Sequence, residues 1–142
     1  MFLPDAHITA VALMSHHGLK GWSFAWDDST RRFGVCKYRT KTIGLSRRLV
    51  ELNGVEEVRN TILHEIAHAL APVGAGHGNV WKRKALEVGA RPERCYQAKD
   101  VKAPARKFTA RCPSCALTFA RDRRTKSVCR KCSVRIVWKR AS

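Results

Sequence analysis

The stretch Thr61-Ile62-Leu63-His64-Glu65-Ile66-Ala67-His68-Ala69-Leu70 constrains this chain more than any other. It carries His-Glu-x-x-His inside a helical pattern, with Ile62, Leu63, Ile66, Ala67 and Leu70 supplying a core face. At about 100° per residue, His64 and His68 lie one turn apart on the same side. Two imidazoles so placed can close on one tetrahedral zinc at roughly 2.0–2.1 Å each. Glu65 is rotated off that pair and is free to accept a proton from the water that such a metal activates. A plain amphipathic helix with incidental histidines explains the apolar face equally well, so the residues that follow decide the reading.

Two histidines need a third ligand. Pro72 stops the helix, Gly74 and Gly76 let the chain reverse, and His77 comes next, just ahead of a second helical pattern in Val80, Trp81, Lys84, Ala85 and Val88. His77 can return over His64 and His68 and leave the fourth position for water, as in a catalytic site. Glu87, on the second helix, is the rival third ligand, and His77 is preferred to it. The metzincin pattern would need glycine at 71 and histidine at 74, where this chain has Ala71 and Gly74, so that class is excluded.

Trp22, Gly34-Val35-Cys36, Ile43-Gly44-Leu45-Ser46, the His64–His68 motif and His77-Gly78-x-x-Trp81 together resemble the SprT-like domain, the family of bacterial SprT and the Spartan proteases. The resemblance runs from about residue 5 to about 95. It implies a compact α+β zincin-like metallopeptidase with a small antiparallel sheet, whose best-studied members degrade proteins crosslinked to DNA. Carried over by position, it implies that His64, His68 and His77 hold a catalytic zinc and that Glu65 is the general base. Phenylalanine is common in the family where this chain has Trp81.

Further on, Cys112-Pro113-Ser114-Cys115 and Cys129-Arg130-Lys131-Cys132 form two Cys-x-x-Cys pairs separated by 13 residues. Four thiolates at about 2.3 Å make a closed structural zinc site with no place for water. A redox pair is the alternative, but nothing around them reads as a thioredoxin-like unit. Phe108, Leu117, Phe119, Val134, Ile136 and Trp138 alternate with basic residues, as in the strands of a zinc ribbon. Some 35 residues cannot bury a sufficient core alone, so metal should supply much of the folding energy. A four-cysteine ribbon of this kind also resembles the C-terminal part of many bacterial family members. The expected organisation is a zincin-like domain over 1–97, a polar linker over 98–107 containing Pro104, and a ribbon over 108–142.

Charge points to a partner. The net charge is +17, unevenly spread: residues 1–96 carry 14 Lys/Arg against 9 Asp/Glu, and residues 97–142 carry 14 against Asp100 and Asp122. Such a bias favours a polyanion, foremost DNA, over an inert solvated surface. Phe119 and Trp138, with Arg121, Arg123, Arg124, Lys126, Arg135, Lys139 and Arg140, suit a nucleic-acid surface with stacking groups, or the aromatics are ribbon core. No run approaches the roughly 20 apolar residues of a membrane span. The N-terminus lacks the basic region of a signal peptide, so the expectation is a cytoplasmic monomer with unpaired thiols at Cys36 and Cys95.

Secondary structure follows from local signals. Pro4 to Leu19 reads as a helix with Ile8, Val11, Ala12, Ser15 and Leu19 down one face, and His7, His16 and His17 outside the site. Trp22–Trp26, Phe33–Tyr38 and Lys41–Leu45 read as strands joined by hairpin logic. Ser46 caps a helix to Leu52, Asn53 and Glu56 suggest a capping box for the motif helix over Val55–Ala71, and a helix from Gly78 ends near Gly89. The Phe33–Leu45 strand pair offers the sheet edge on which a peptide would add as a strand. The expected function is a zinc-dependent endopeptidase acting on DNA-associated or DNA-crosslinked proteins, with two zinc ions per chain. The alternative is a non-catalytic zinc-containing DNA-binding accessory or regulatory protein.

Overall fold

The structure is a computed structural model that describes residues 1–94 and 99–142; Cys95 and the expected boundary at 97/98 lie outside the described residues. The chain divides into two compact units, Met1–Pro104 and Ala105–Ser142. The first is built from helices and a small sheet and the second, among the described residues, from short strands alone, so the chain as a whole is α+β. Among the described residues no helix is long and apolar enough to cross a membrane.

In the first unit, α1 (Leu3–His16) leads to β1 (Ser23–Asp27), β2 (Gly34–Lys37) and β3 (Thr42–Ser46), then α2 (Arg47–Leu52), α3 (Val55–Leu70) and α4 (Asn79–Val88). The sheet order is β1-β3-β2. β2 and β3 form the expected antiparallel hairpin, but β1 runs parallel to β3, from Ser23 opposite Thr42 to Asp27 opposite Ser46. The sheet is therefore mixed, not antiparallel throughout. The cause is burial: β3 carries Ile43 and Leu45, both 0% exposed, and takes the centre. The segment between β1 and β2 is too long for a tight reversal and crosses over instead. It is held by Asp27, whose carboxylate accepts the Ser29 N–H at 2.9 Å and pairs with Arg32 at 3.0 Å.

Helix α1 buries a different face from the one expected. Ala6, Ala10, Leu13 and Met14 face the core, while Ile8 and Val11 are exposed. Ala6 and Ala10 are 0% exposed, and such small side chains let a helix pack closely on its neighbours. Ser46 caps α2 as expected, its hydroxyl accepting the Leu49 N–H at 3.2 Å. Asn53 does not cap α3, whose N-cap is Gly54 without a side-chain bond. Its amide instead donates to the Leu49 and Lys102 carbonyls and accepts the Lys102 N–H, all at 2.7 Å. Three bonds satisfied in a buried position outweigh one exposed cap. They fasten the Lys102 segment, whose Val101 joins the core.

The second unit holds a sheet ordered β5-β4-β8, from Phe108–Arg111 (β4), Thr118–Arg121 (β5) and Lys139–Arg140 (β8), and the pair β6 (Ser127–Val128) with β7 (Arg135–Ile136). Its core is Ala110, Cys112, Cys129, Ile136 and Trp138, with Phe108, Leu117 and Phe119 packed against it.

Candidate metal centres and the histidine cleft

Helix α3 positions three of the functional side chains. Ile62, Ile66 and Ala67, all 0% exposed, fix its rotation against the core. His64 and His68 then project on one side, and Glu65 on another. Ala71 follows with extended backbone, and Pro72 prevents further helix. The next six residues fold back through two turns, closed by Ala75 N–H on Pro72 and Gly78 N–H on Ala75. Gly76, at φ 54°, takes the left-handed conformation the reversal requires. His77 thereby arrives over the helix. Its Nε2 lies 3.1 Å from that of His64 and 3.0 Å from that of His68. Donors at 2.0–2.1 Å from a tetrahedral zinc would stand about 3.3 Å apart, so this donor set fits that ion.

Trp81 forms the floor. It is 0% exposed and its ring centre lies 4.6, 5.2 and 4.6 Å from those of His64, His68 and His77. Set in the first turn of α4, it ties the loop histidine to the two helix histidines. Its buried Nε1–H has no hydrogen-bond partner among the described residues. Burial drives the His64 imidazole down to about 3, helped by the His68 and His77 rings, and the His68 imidazole down to about 4, helped by His77. Burial and then Arg94 lower His77 as well. At neutral pH all three rings are uncharged, with lone pairs available to a cation. Glu87 is not part of this set: it is exposed and pairs with Lys84 at 2.9 Å. His7 stacks on Phe24 at 5.0 Å, and His16 and His17 contact each other.

Glu65 faces β2. Its side chain is buried, at 8% exposure, which pushes the carboxyl up to about 8 against the opposing pull of Arg32 and of a hydrogen bond donated by the Cys36 backbone N–H. Room for it depends on Gly34. A Cβ at that position would stand 2.8 Å from Glu65 Cγ, 2.9 Å from Glu65 Oε1 and 2.8 Å from Thr61 Cγ2. The role of Gly34 was not foreseen from sequence. The available signal was a glycine inside an otherwise apolar strand, which marks close approach of another group. Cys36 is half-buried, and desolvation first, then Glu65, push its thiol up to about 12, so it is a neutral neighbour of the carboxylate. The three histidines, Glu65 and Gly34, Val35 and Cys36 of β2 line one open cleft of about 890 Å³, with Tyr38 and Asn60 on its walls.

The cysteines form a separate cluster in the second unit. Cys112 and Cys132 sulfurs lie 3.3 Å apart, Cys115 and Cys129 3.5 Å, and Cys115 and Cys132 3.8 Å, all as free thiols. Four sulfurs at 2.3 Å from a tetrahedral ion would be spaced about 3.8 Å, so this set can also hold a metal. The two turns repeat each other. Cys112 N–H bonds Leu117 and Ala116 N–H bonds Cys112; Cys129 N–H bonds Val134 and Ser133 N–H bonds Cys129. Ala116 and Ser133 share the same left-handed backbone, at φ 60° and 56°. Desolvation raises the Cys129 thiol, but the N–H groups of Lys131 and Cys132 outweigh it and bring it to about 6.

The sequence profile of the SprT-like family matches residues 8–102. The chain is also similar to "Protein SprT-like" of Geobacillus kaustophilus (strain HTA426), 34% identical over 101 residues that cover 66% of this chain and 68% of the relative. The matched region contains both helix histidines, Glu65, His77 and Gly34, and on these grounds the chain belongs to the SprT-like family.

Proposed function

We propose that the chain is a zinc-dependent endopeptidase of the zincin type, directed to proteins associated with or crosslinked to DNA. The observation that carries this reading is the convergence of three uncharged imidazoles beside a buried carboxylate in one open cleft. His64, His68 and His77 would hold the zinc. When bound there, zinc supplies a Lewis acid that polarises a carbonyl and lowers the pKa of water to about 7. Glu65 accepts the proton of the attacking water at its carboxylate. Burial makes that carboxylate a stronger base than an exposed one and lets it keep the proton until the leaving amine takes it. The Cys36 N–H and the absence of a side chain at Gly34 fix where that carboxylate stands. β2 is an edge strand, and a substrate segment adding beside it would bring its backbone past Glu65 with little demand on side-chain identity.

Loose specificity calls for control by location. The second segment supports that: Cys112, Cys115, Cys129 and Cys132 would hold a structural zinc, giving a zinc ribbon whose positive charge recruits nucleic acid. The test of the catalytic reading is Glu65→Gln beside His68→Ala on a protein substrate. Glu65→Gln should keep its metal and lose cleavage, and His68→Ala should lose both. Wild-type cleavage by Glu65→Gln would remove Glu65 from the chemistry, and no cleavage by the metal-replete wild type would leave the chain as a non-catalytic zinc protein.

A further inference from the structure

We propose that the outer face of the β5-β4-β8 sheet is a phosphodiester-backbone site that takes a nucleic-acid strand through Arg111, Arg135 and Lys139. The proposal deepens the reading of the second unit as a nucleic-acid module and rests on it.

Register separates the two faces of the sheet. Directly opposed residues of antiparallel strands project to the same side. Thr109 opposes Ala120 and Lys139, and Arg111 opposes Thr118, so these five share one face. Ala110 opposes Phe119 on the other face, which packs on the cysteine cluster. The outer face is exposed throughout. At its centre it has only Thr109, Thr118 and Ala120, short enough for a ligand backbone to come close. It borders a groove of about 620 Å³ that also includes Arg135 and the exposed Val137. From strand rise and spacing, the Arg111 and Lys139 Cα atoms stand about 8 Å apart, within reach of neighbouring phosphates for two long side chains.

The charges on this face are not neutralised from within. No Asp or Glu lines the groove. Residues 105–142 hold twelve Lys/Arg and a single acid, Asp122, which is engaged by Arg106 at 2.5 Å and by the Lys107 N–H. Two other cations of the unit cover its rings. The Arg121 guanidinium covers Trp138 at 5.3 Å and donates to Thr125, and that of Arg124 covers Phe108 at 5.1 Å. Trp138 is buried, and its Nε1–H donates to Ser127 at 2.9 Å. Of the rings that sequence offers as stacking platforms, Trp138 is thus closed and Phe119 is half-buried against the cysteine core, so the chemistry the strand face presents is chiefly cation and hydroxyl against phosphate. Binding of this kind is insensitive to base sequence and steeply sensitive to salt.

Full-length protein is titrated into labelled single-stranded and duplex oligonucleotides of unrelated sequence, by fluorescence anisotropy across a salt series. The groove variant Arg111→Gln/Arg135→Gln/Lys139→Gln is compared with Arg123→Gln/Arg130→Gln/Lys131→Gln, which removes the same charge elsewhere on the unit. Loss of three phosphate contacts should lower the log–log salt slope by about 2–3, at roughly 0.7–0.9 per contact, and the control should lower it by less than about 1. Arg111→Lys/Arg135→Lys should keep the wild-type slope, and metal content should be unchanged in every variant. Equal losses in the groove and control variants would overturn the site and leave the module. Displacement of DNA by polyglutamate at equal charge would overturn the nucleic-acid assignment of the groove in favour of an acidic protein. No binding by wild type to either oligonucleotide would overturn the reading of the module itself.

Discussion

Gly34→Ala probes the catalytic geometry without touching a metal ligand or the carboxylate. The added Cβ would meet Glu65 Cγ and Thr61 Cγ2, each at 2.8 Å. Ordinary carbon contacts lie at about 3.5–4.0 Å, so at least roughly 0.7 Å must be recovered by movement. The α3 backbone is poorly placed to supply it, because Ile62 and Ile66 are fully buried on the core side. The Glu65 side chain therefore swings, and its hydrogen bond from the Cys36 N–H lengthens. Overpacking of this degree costs about 1–3 kcal/mol of stability. A catalytic group misplaced by about 1 Å costs on the order of 100-fold in rate, or about 2.7 kcal/mol. Gly34→Ala should thus lower kcat about 10- to 100-fold, with KM little changed and metal content intact. Adding Thr61→Ser removes the contact with Thr61 and leaves those with Glu65, so it should restore part of the stability while kcat stays low. Steady-state cleavage, thermal unfolding and metal analysis on the three proteins make the comparison. Near-wild-type kcat in Gly34→Ala, or full recovery of kcat by Thr61→Ser, would refute the claim that Gly34 positions the base.

Three further outcomes follow from the same geometry. Metal analysis of replete protein should approach two equivalents per chain, and Cys112→Ser/Cys129→Ser should remove one while the histidine set keeps the other; one equivalent in the wild type would contradict the two-site assignment. In metal-stripped protein the Glu65 carboxyl titrates near 8 rather than 4.5, so the folded state binds the extra proton between those values and stability falls as pH rises through them. The buried imidazoles give the opposite slope below about 6.5, where the unfolded chain binds more protons, so thermal unfolding of wild type against Glu65→Gln between pH 6.5 and 8 isolates the carboxyl; parallel curves would place that titration elsewhere. Truncation after Pro104 should keep the histidine-site metal but abolish DNA binding and DNA-stimulated cleavage, and unchanged DNA affinity would return the charge of residues 105–142 to a solvated surface.

Sequence carried the grouping of the candidate ligand residues better than it carried their surroundings. His64, His68 and the cysteine pairs are legible because a fixed spacing on a helix or tight turn converts number into direction. His77 needed one more inference, that Gly74 and Gly76 reverse the chain after Pro72. The strand direction of β1 was not legible, because alternation reports which side chains are buried and says nothing of which neighbour a strand selects. Apolar residues on both sides of α1 left its inner face undetermined, and the decision fell to Ala6 and Ala10, which are small rather than hydrophobic in bulk. Asn53 fits a capping box locally, yet it bonds to Lys102, 49 residues away. Gly34 belongs with these: its contact with Glu65 exists only once β2 lies against α3.

The two candidate metal centres are built on opposite principles, and this shapes what each can do. In the cysteine cluster both pairs sit in short turns of matching geometry, each stabilised by its own backbone bonds to the first cysteine. The surrounding core is small, so the metal and the fold are one equilibrium. In the cleft, two ligands project from a helix already fixed by Ile62, Ile66 and Ala67, and that half is formed without metal. The third ligand rides on a loop with two left-handed glycines, and its position is set chiefly by Trp81 beneath all three rings. Metal at the histidine set would therefore stabilise a site that the fold already forms rather than create it. That division suits chemistry at the cleft and structure at the cysteines.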